Sequence, residues 1–89
     1  MDRRNLKYDT EAIQKKDRDH FLHPFTDFAT FKNEASMVVV ESDGAYIFDS
    51  EGNRYLDGVG GLWCVNVGYN RGEIADAMAD QARRMVFYS

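Results

Sequence analysis

The spacing of hydrophobic and polar positions changes several times along the 89-residue chain. Asp9 or Thr10 is a suitable N-cap for a first helix that runs to about Phe21. The apolar stripe of this helix is thin, so the helix needs a neighbouring element to cover it. His23-Pro24 ends the helix, because proline biases the residue before it away from helical geometry. The apolar stretch here is expected mainly in the core, with one or two members facing a ligand as the alternative: Phe21, Leu22, Phe25, Phe28 and Phe31.

Residues 37–57 have the pattern of short strands separated by turns. The predicted strands are residues 37–41, 45–49 and 54–57, and the predicted turns are residues 42–44 and 50–53. The first strand is rich in β-branched residues, and both turns contain glycine with aspartate, asparagine or serine. Two tight turns that join three strands predict an antiparallel meander. Such a small sheet requires a packing partner.

The last third of the chain combines an irregular glycine-rich segment with a helix. Residues 58–70 have no regular period, and Asn70 with Glu73 resembles a capping box at the start of a helix. From Arg71 to about Arg84 the apolar residues follow helical spacing, at Ile74, Ala77, Met78, Ala82 and Met85. This pattern predicts an amphipathic helix whose apolar face requires a cover.

Composition and charge exclude several classes of function. Hydrophobic residues make up 44% and charged residues 29% of the chain, as in ordinary globular domains. The net charge of −4 argues against nucleic acid as a main partner, since such binding usually needs a basic surface. The longest apolar runs have four residues, which predicts no membrane span. With no apolar run behind the first residues and one cysteine, Cys64, we expect a cytoplasmic protein without an internal disulfide.

The candidates for catalysis, cofactor or metal binding are weak. Gly58, Gly60 and Gly61 lack the spacing of a dinucleotide loop, which favours close packing in a turn. His20 and His23 have no second ligand pair, so we predict no metal site. Cys64 has no adjacent base in the sequence, so it is expected to be a small buried residue rather than a nucleophile. The acidic residues at the turns are expected to cap and be solvated: Asp43, Asp49, Glu51 and Asp57.

Trp63 is the residue whose position the pattern explains least. It follows Gly60, Gly61 and Leu62 in a segment without amphipathic spacing. A core anchor is one interpretation. The other is that Trp63 lines an apolar ligand pocket, as aromatic residues on rigidly held loops do.

Four ordered segments resemble the beginning of a class III aminotransferase, and more narrowly its ω-amino acid (amine):pyruvate branch. They are residues 23–27, reading His-Pro-Phe-Thr-Asp; residues 44–58, from Gly44 to Gly58; residues 61–71, reading Gly-Leu-Trp-Cys-Val-Asn-Val-Gly-Tyr-Asn-Arg; and the helix that leads from Gln81 to Phe87-Tyr88-Ser89. The resemblance covers about residues 13–89.

The resemblance implies a fold and an organisation. Residues 10–89 would be the N-terminal part of the small domain of a fold type I, pyridoxal 5'-phosphate (PLP)-dependent α/β enzyme, and residues 1–9 a flexible arm. The segment itself would be α+β, with a helix, a three-stranded antiparallel meander, a loop and a helix. The chain would then be a truncated part of an enzyme that is a homodimer or a dimer of dimers, and Tyr88 and Ser89 would lead toward its dimer interface.

The resemblance also implies an activity and a division of labour. The parent enzyme would transfer an amino group from an amine or ω-amino acid to pyruvate or another 2-oxo acid. Phe25, Leu62 and Trp63 would line the substrate pocket, and Gly60 and Gly61 would allow close approach of the loop backbone. None of the four lysines, Lys7, Lys15, Lys16 and Lys32, matches the lysine that anchors the cofactor in this family. We therefore expect no catalytic and no cofactor-binding residue in this chain.

A second hypothesis is a self-contained small α+β module without catalysis, which binds through Trp63 and the Phe25 region. A third is an interaction domain that pairs through its sheet edge or through Phe87-Tyr88. The predicted core is thin for either kind of independent domain, which favours the enzyme segment.

Overall fold

The computed structural model describes residues 7–24, 26–31 and 35–89. Phe25, Lys32 and most of the predicted arm at residues 1–9 lie outside the described residues. The chain forms two compact units. The first contains the described residues up to Glu41 together with Ile47–Tyr55, and the second contains Ser42–Tyr46 together with Leu56–Ser89.

Helix α1 spans Thr10–His20, as the sequence predicts. The Asp9 side chain caps it by accepting a hydrogen bond from the backbone N–H of Ala12 at 3.0 Å. The backbone leaves the helix at Phe21, whose φ of −121° and ψ of 134° are extended. A short helix, α2, follows at Phe28–Phe31.

Three strands form one antiparallel sheet in the order β1-β2-β3. They span Val39–Asp43 (β1), Tyr46–Asp49 (β2) and Arg54–Leu56 (β3), which confirms the predicted meander. The first predicted turn, at residues 42–44, is wrong in position, because β1 continues through Asp43 and the chain reverses at Gly44 and Ala45. Gly44 has a φ of 60°, in the left-handed region that glycine adopts most easily.

The second unit carries a left-handed turn, α3, at Gly60–Trp63 and the helix α4 at Gly72–Arg84. The amphipathic helix is confirmed, but the predicted capping box at Asn70 is wrong. Arg71 occupies the N-cap without a side-chain hydrogen bond. Asn70 instead has a φ of 61°, and its side-chain oxygen accepts a hydrogen bond from the Ser42 hydroxyl at 3.1 Å.

Burial is limited in the part of the chain that the structure describes. Phe48, at 3% exposure, is the buried hydrophobic residue there, and Asp49, Ser50 and Asn53 are buried beside it in the sequence. The prediction that Phe21 and Leu22 belong to a core is wrong, since both are exposed. They follow the end of α1 in extended backbone and so leave the face of that helix. No helix among the described residues is long and apolar enough to cross a membrane.

Candidate functional site

The segment predicted to be irregular contains one turn of left-handed helix. Gly60, Gly61, Leu62 and Trp63 have φ values of 59°, 59°, 69° and 65°. The backbone N–H of Trp63 donates to the carbonyl of Val59 at 2.9 Å, and that of Cys64 donates to Gly60 at 3.0 Å. These bonds have the four-residue spacing of an α-helix, and the positive φ values give α3 the opposite hand.

Two of the four residues adopt this conformation against their preference. Glycine enters the left-handed region freely, whereas a side chain there brings Cβ close to the following carbonyl, which costs about 1–2 kcal/mol per residue. Leu62 and Trp63 both carry large side chains. Backbone strain of this kind persists only where the surrounding structure enforces it, and it concentrates at functional sites.

The carboxylate of Asp57 binds the backbone at the start of this turn. Its Oδ1 accepts hydrogen bonds from the backbone N–H groups of Val59 at 3.1 Å and Gly60 at 3.0 Å, and its Oδ2 accepts from Gly61 at 2.8 Å. The Tyr69 hydroxyl also donates to Oδ2, at 2.5 Å. The hydrogen bond from Tyr69 is the main cause that lowers the pKa of Asp57, and the backbone amides add to it against a smaller opposing effect of desolvation.

Both members of this pair are tied to the turn between β1 and β2. The backbone N–H of Asp57 donates to the carbonyl of Ala45 at 2.9 Å, and that of Tyr69 donates to Gly44 at 2.7 Å. Gly68 precedes Tyr69 at a φ of 84°, and a Cβ there would lie 3.1 Å from the Gly44 carbonyl oxygen. The pair is thus held by backbone bonds as well as by its own hydrogen bond.

Gly61 is required by space as well as by conformation. A Cβ at this position would lie 2.8 Å from Cγ2 of Val65 and 3.1 Å from the Tyr69 hydroxyl oxygen. The close packing predicted for the glycines is therefore present at Gly61, and it is packing against the chain's own side chains.

The turn places its two large side chains on the surface. Leu62 is 58% and Trp63 is 85% exposed. Within this chain Trp63 is therefore no core anchor. The prediction that Cys64 is buried is wrong: its thiol is exposed and donates to the carbonyl of Gly61 at 3.0 Å. The third predicted pocket residue, Phe25, lies outside the described residues.

The sequence did not reveal the pairing of Asp57 with Tyr69. An aspartate directly before a glycine-rich segment is a signal for a side chain that binds its own backbone, and Asp57 was predicted to cap. Nothing in the sequence, however, connects Asp57 to a tyrosine twelve positions away.

A similar arrangement exists in the first unit around Asp49. Its carboxylate accepts from the backbone N–H groups of Glu51 and Asn53, at 3.0 and 2.9 Å, and from the Asn53 side-chain amide at 2.8 Å. The Tyr55 hydroxyl donates to it at 2.9 Å. Desolvation raises the pKa of this carboxyl, but the hydrogen bonds outweigh it and the net direction is down. Asp49 was predicted to be a solvated cap, and the structure shows a buried one.

A further polar cluster joins α1 to the segments around it. Nε2 of His23 lies 2.7 Å from Oδ2 of Asp17, and the Ser36 hydroxyl donates to the same oxygen at 2.7 Å. The serine hydroxyl and the histidine ring thus both bind the carboxylate of Asp17. Among the described residues, no group of three or more His, Cys, Asp and Glu side chains could hold a metal ion.

The glycine-rich segment does not offer a phosphate cradle. Such a cradle needs free backbone N–H groups, whereas those of Val59, Gly60 and Gly61 all bind Asp57. Of the lysines in the described part, Lys15 is paired with Asp19 at 2.5 Å on the exposed face of α1. The glycine-rich segment by itself therefore does not fit the phosphate of PLP.

Comparison with known proteins identifies the family. The family described as aminotransferase class-III matches residues 28–89. The chain belongs to the class III aminotransferase family, and this confirms the predicted resemblance to that family. Members of this family are PLP-dependent.

Individual relatives narrow the similarity. The chain is 45% identical over 80 residues to putrescine–pyruvate aminotransferase of Pseudomonas aeruginosa, which covers 90% of this chain and 18% of that protein. It is 42% identical over 78 residues to adenosylmethionine-8-amino-7-oxononanoate aminotransferase of Geobacter sulfurreducens, covering 88% of this chain and 17% of that protein.

A solved structure supports the fold. The thermostable (S)-enantioselective omega-transaminase from Thermomicrobium roseum superposes with a TM-score of 0.86 at 39% identity, over 92% of this chain and 18% of that one. The chain thus has the fold of a partial domain of the type I PLP-dependent transaminases. It spans less than a fifth of the length of these relatives.

Proposed function

We propose that this chain is part of a PLP-dependent transaminase that transfers an amino group from an amine or ω-amino acid to pyruvate or another 2-oxo acid. Its role is to supply the apolar wall of the substrate pocket, through Phe25, Leu62 and Trp63, and not the lysine that anchors the cofactor. The electron-accepting chemistry is that of PLP, and the residues of this chain give the pocket its shape.

The observation that carries this proposal is the exposure of Leu62 and Trp63 on a turn of fixed conformation. Large apolar side chains that are exposed together mark a surface that binds something. A rigidly held loop is the usual carrier of binding residues. An indole and an isobutyl group suit the hydrocarbon part of an amine or ω-amino acid.

The apolar face of α4 supports the view that the segment works inside a larger enzyme. Ile74, Met78 and Met85 are 43%, 67% and 57% exposed along one side of the helix. The relatives are more than five times longer than the part that this chain matches. We assign the remainder of the aminotransferase as the cover of this face.

The assembly and location follow from the same proposal. The active enzyme is a homodimer or a dimer of dimers, and Tyr88 and Ser89 lead toward its dimer interface. The enzyme resides in the cytoplasm. The free thiol of the single cysteine is consistent with a reducing compartment. Sedimentation of the complete enzyme tests its assembly, and a monomeric active species would contradict it.

The pocket role is tested in the complete PLP-loaded aminotransferase that contains these 89 residues. Trp63→Ala and Leu62→Ala are assayed with putrescine, taurine and 1-phenylethylamine as donors to pyruvate. We expect the ratios of kcat/KM among the three amines to change by about tenfold or more, which corresponds to at least ~1.4 kcal/mol of differential binding. The absorbance of bound PLP should stay unchanged.

Leu56→Ala is the matched control, because Leu56 is an exposed leucine, at 67%, on strand β3. It should leave the ratios unchanged. Equal losses for all three amines in the Trp63 and Leu62 variants, together with a lower melting temperature, would mark these residues as structural and overturn the pocket assignment.

A further inference from the structure

We propose that Asp57 and Tyr69 are positioning residues, which hold the left-handed turn α3 so that Leu62 and Trp63 face the substrate. This inference rests on the pocket role proposed above and assigns part of the substrate specificity to two residues that do not themselves touch the amine.

The turn α3 is wound in the direction that its two large side chains disfavour. A turn of the same length in the right-handed conformation would be free of strain at Leu62 and Trp63, and it would send both side chains in other directions. The conformation that exposes them, at φ values of 69° and 65°, must therefore be imposed from outside the pair.

The carboxylate of Asp57 is the group that constrains the backbone of α3. The first three N–H groups of a helical turn have no partner within it. In α3 the corresponding groups of Val59, Gly60 and Gly61 converge on the one carboxylate of Asp57. Hydrogen bonds from three successive amides to one charged group fix the path of the backbone just before Leu62.

The carboxylate of Asp57 is itself held in place by Tyr69 and by the backbone. Tyr69 binds Oδ2 at 2.5 Å, and this is the oxygen that binds Gly61. The backbone N–H groups of both Asp57 and Tyr69 are bonded to the reversal at Gly44 and Ala45. A displacement of the Tyr69 hydroxyl would move Oδ2 of Asp57 and, with it, the Gly61 N–H that binds the same oxygen. Tyr69 therefore acts on Leu62 and Trp63 through Asp57.

The chain contains its own matched control for these two residues. Asp49 and Tyr55 form an equivalent aspartate–tyrosine pair in the other unit, at 2.9 Å. Loss of either pair removes one tyrosine–carboxylate hydrogen bond. Only loss of the Asp57–Tyr69 pair should move Trp63.

The first test uses the complete aminotransferase with the tryptophans outside these 89 residues replaced by phenylalanine, so that Trp63, the single tryptophan of this chain, is the one reporter. In Tyr69→Phe and Asp57→Asn we expect the fluorescence anisotropy of Trp63 to fall and its near-ultraviolet circular dichroism to weaken. In Tyr55→Phe and Asp49→Asn both signals should remain as in the parent chain. Equal signals in all four variants would overturn the proposal.

The second test uses the complete PLP-loaded enzyme and keeps the two proposals distinguishable. Tyr69→Phe should raise KM for the amine by about tenfold with a smaller change in kcat, no change in KM for pyruvate and an unchanged PLP absorbance. Tyr55→Phe should leave these constants unchanged. If Trp63→Ala alters amine KM but Tyr69→Phe does not, the pocket role stands and the positioning role fails. If neither does, the pocket role itself fails.

The Asp57→Asn variant, which keeps one acceptor oxygen, is the more severe change. If it fails to fold, Tyr69→Phe alone decides the question, because it leaves all three amide bonds to Asp57 in place.

Discussion

The hydroxyl of Tyr69 donates a hydrogen bond of 2.5 Å to the carboxylate of Asp57, although the two residues are twelve positions apart in the sequence. This bond lowers the pKa of Asp57 and raises the pKa of Tyr69, because it favours the charged carboxylate together with the neutral phenol. The pair is therefore stable in this protonation state over a wider range of pH than either group would be alone.

The pH range of the turn follows from the signs of these shifts. Because the folded state lowers the pKa of Asp57 below 3.8, its contribution to stability is complete above that value and is lost as the pH falls through the lowered pKa. Because the folded state raises the pKa of Tyr69 above 10.0, its contribution is complete below that value and is lost as the pH rises through the raised pKa.

Titration of Trp63 fluorescence in the 89-residue chain checks this range. We expect Tyr69→Phe to move the acid midpoint to higher pH, since it removes the main cause that lowers the pKa of Asp57. Tyr55→Phe serves as the control and should leave the midpoint in place. Acid limbs that coincide for the parent and Tyr69→Phe would contradict the assignment.

Gly61 should be intolerant of even a methyl group. In Gly61→Ala the residue has a φ of 59°, and its Cβ lies 2.8 Å from Cγ2 of Val65. We expect a loss of at least about 1–2 kcal/mol in the free energy of unfolding from the conformation alone, with more from the contact. Urea denaturation followed by Trp63 fluorescence measures it.

Gly58→Ala is the matched control for Gly61. A Cβ at Gly58 would meet nothing within 4 Å, and its backbone is not in the left-handed region. This variant should change stability by less than about 0.5 kcal/mol. Comparable losses at the two glycines would show that α3 does not depend on the conformation of Gly61.

The sequence predicted the elements well and the contacts between distant residues poorly. Helices α1 and α4 and the three strands follow from local periodicity, because hydrogen bonds and apolar faces repeat at fixed short intervals. The resemblance through residues 23–27, 44–58 and 61–71 gave the family. The handedness of α3 was not predictable, since Leu62 and Trp63 prefer the opposite hand.

The errors in burial have a physical cause of the same kind. Phe21, Leu22 and Cys64 were assigned to an interior from their residue types, but exposure depends on which element covers them. Asp49 was predicted at the surface because its side chain is charged, yet it is buried. A carboxylate can be buried when four donors meet it, and these donors come from residues 51–55, whose side chains the spacing alone does not direct.

Asp49 should be the most sensitive acidic residue of the first unit. In Asp49→Ala the amide groups of Glu51 and Asn53 and the Tyr55 hydroxyl lose their acceptor next to the buried Phe48. The donors of Asn53 are the buried ones among these, and a buried donor that loses its acceptor costs about 1–3 kcal/mol, so a loss of about 1–3 kcal/mol in the free energy of unfolding is expected. Thermal unfolding by circular dichroism measures it, with Asp76→Ala, an exposed position of α4, as the neutral control.

Ser36 should control the ionisation of Asp17. The Ser36 hydroxyl is the main cause that lowers the pKa of Asp17, and the hydrogen bond with His23 comes second. Ser36→Ala should therefore raise the pKa of Asp17 toward 3.8. The ionised Asp17 contributes stability that is complete above 3.8 and is lost as the pH falls through its lowered pKa. In the variant this loss should occur at a higher pH. Carbon-13 NMR of the Asp17 carboxyl detects the change. Thr30→Ala, whose hydroxyl binds the Asp27 carbonyl, should not alter it.

The apolar face of α4 is tested by a polar residue of similar size. Met78→Gln should leave the helix content of the 89-residue chain unchanged, because the Met78 side chain is 67% exposed there. In the complete aminotransferase it should lower the melting temperature by several degrees, since a buried amide without a partner costs about 1–3 kcal/mol. Arg83→Gln, at an exposed position of the same helix, should alter neither. Equal melting temperatures in the Met78 and Arg83 variants would contradict the assigned cover.

The left-handed turn also restricts which mutations can reshape the proposed substrate pocket in a directed-evolution library. At positions 62 and 63 the backbone favours glycine first and asparagine or aspartate next, whereas valine, isoleucine and threonine are strongly disfavoured there. Replacing Trp63 by glycine or asparagine would therefore enlarge the pocket and relieve strain together. Valine and isoleucine are obvious choices for small changes in an apolar pocket. At these two positions they would destabilise the left-handed turn. Libraries at these two positions should be built around what the backbone admits.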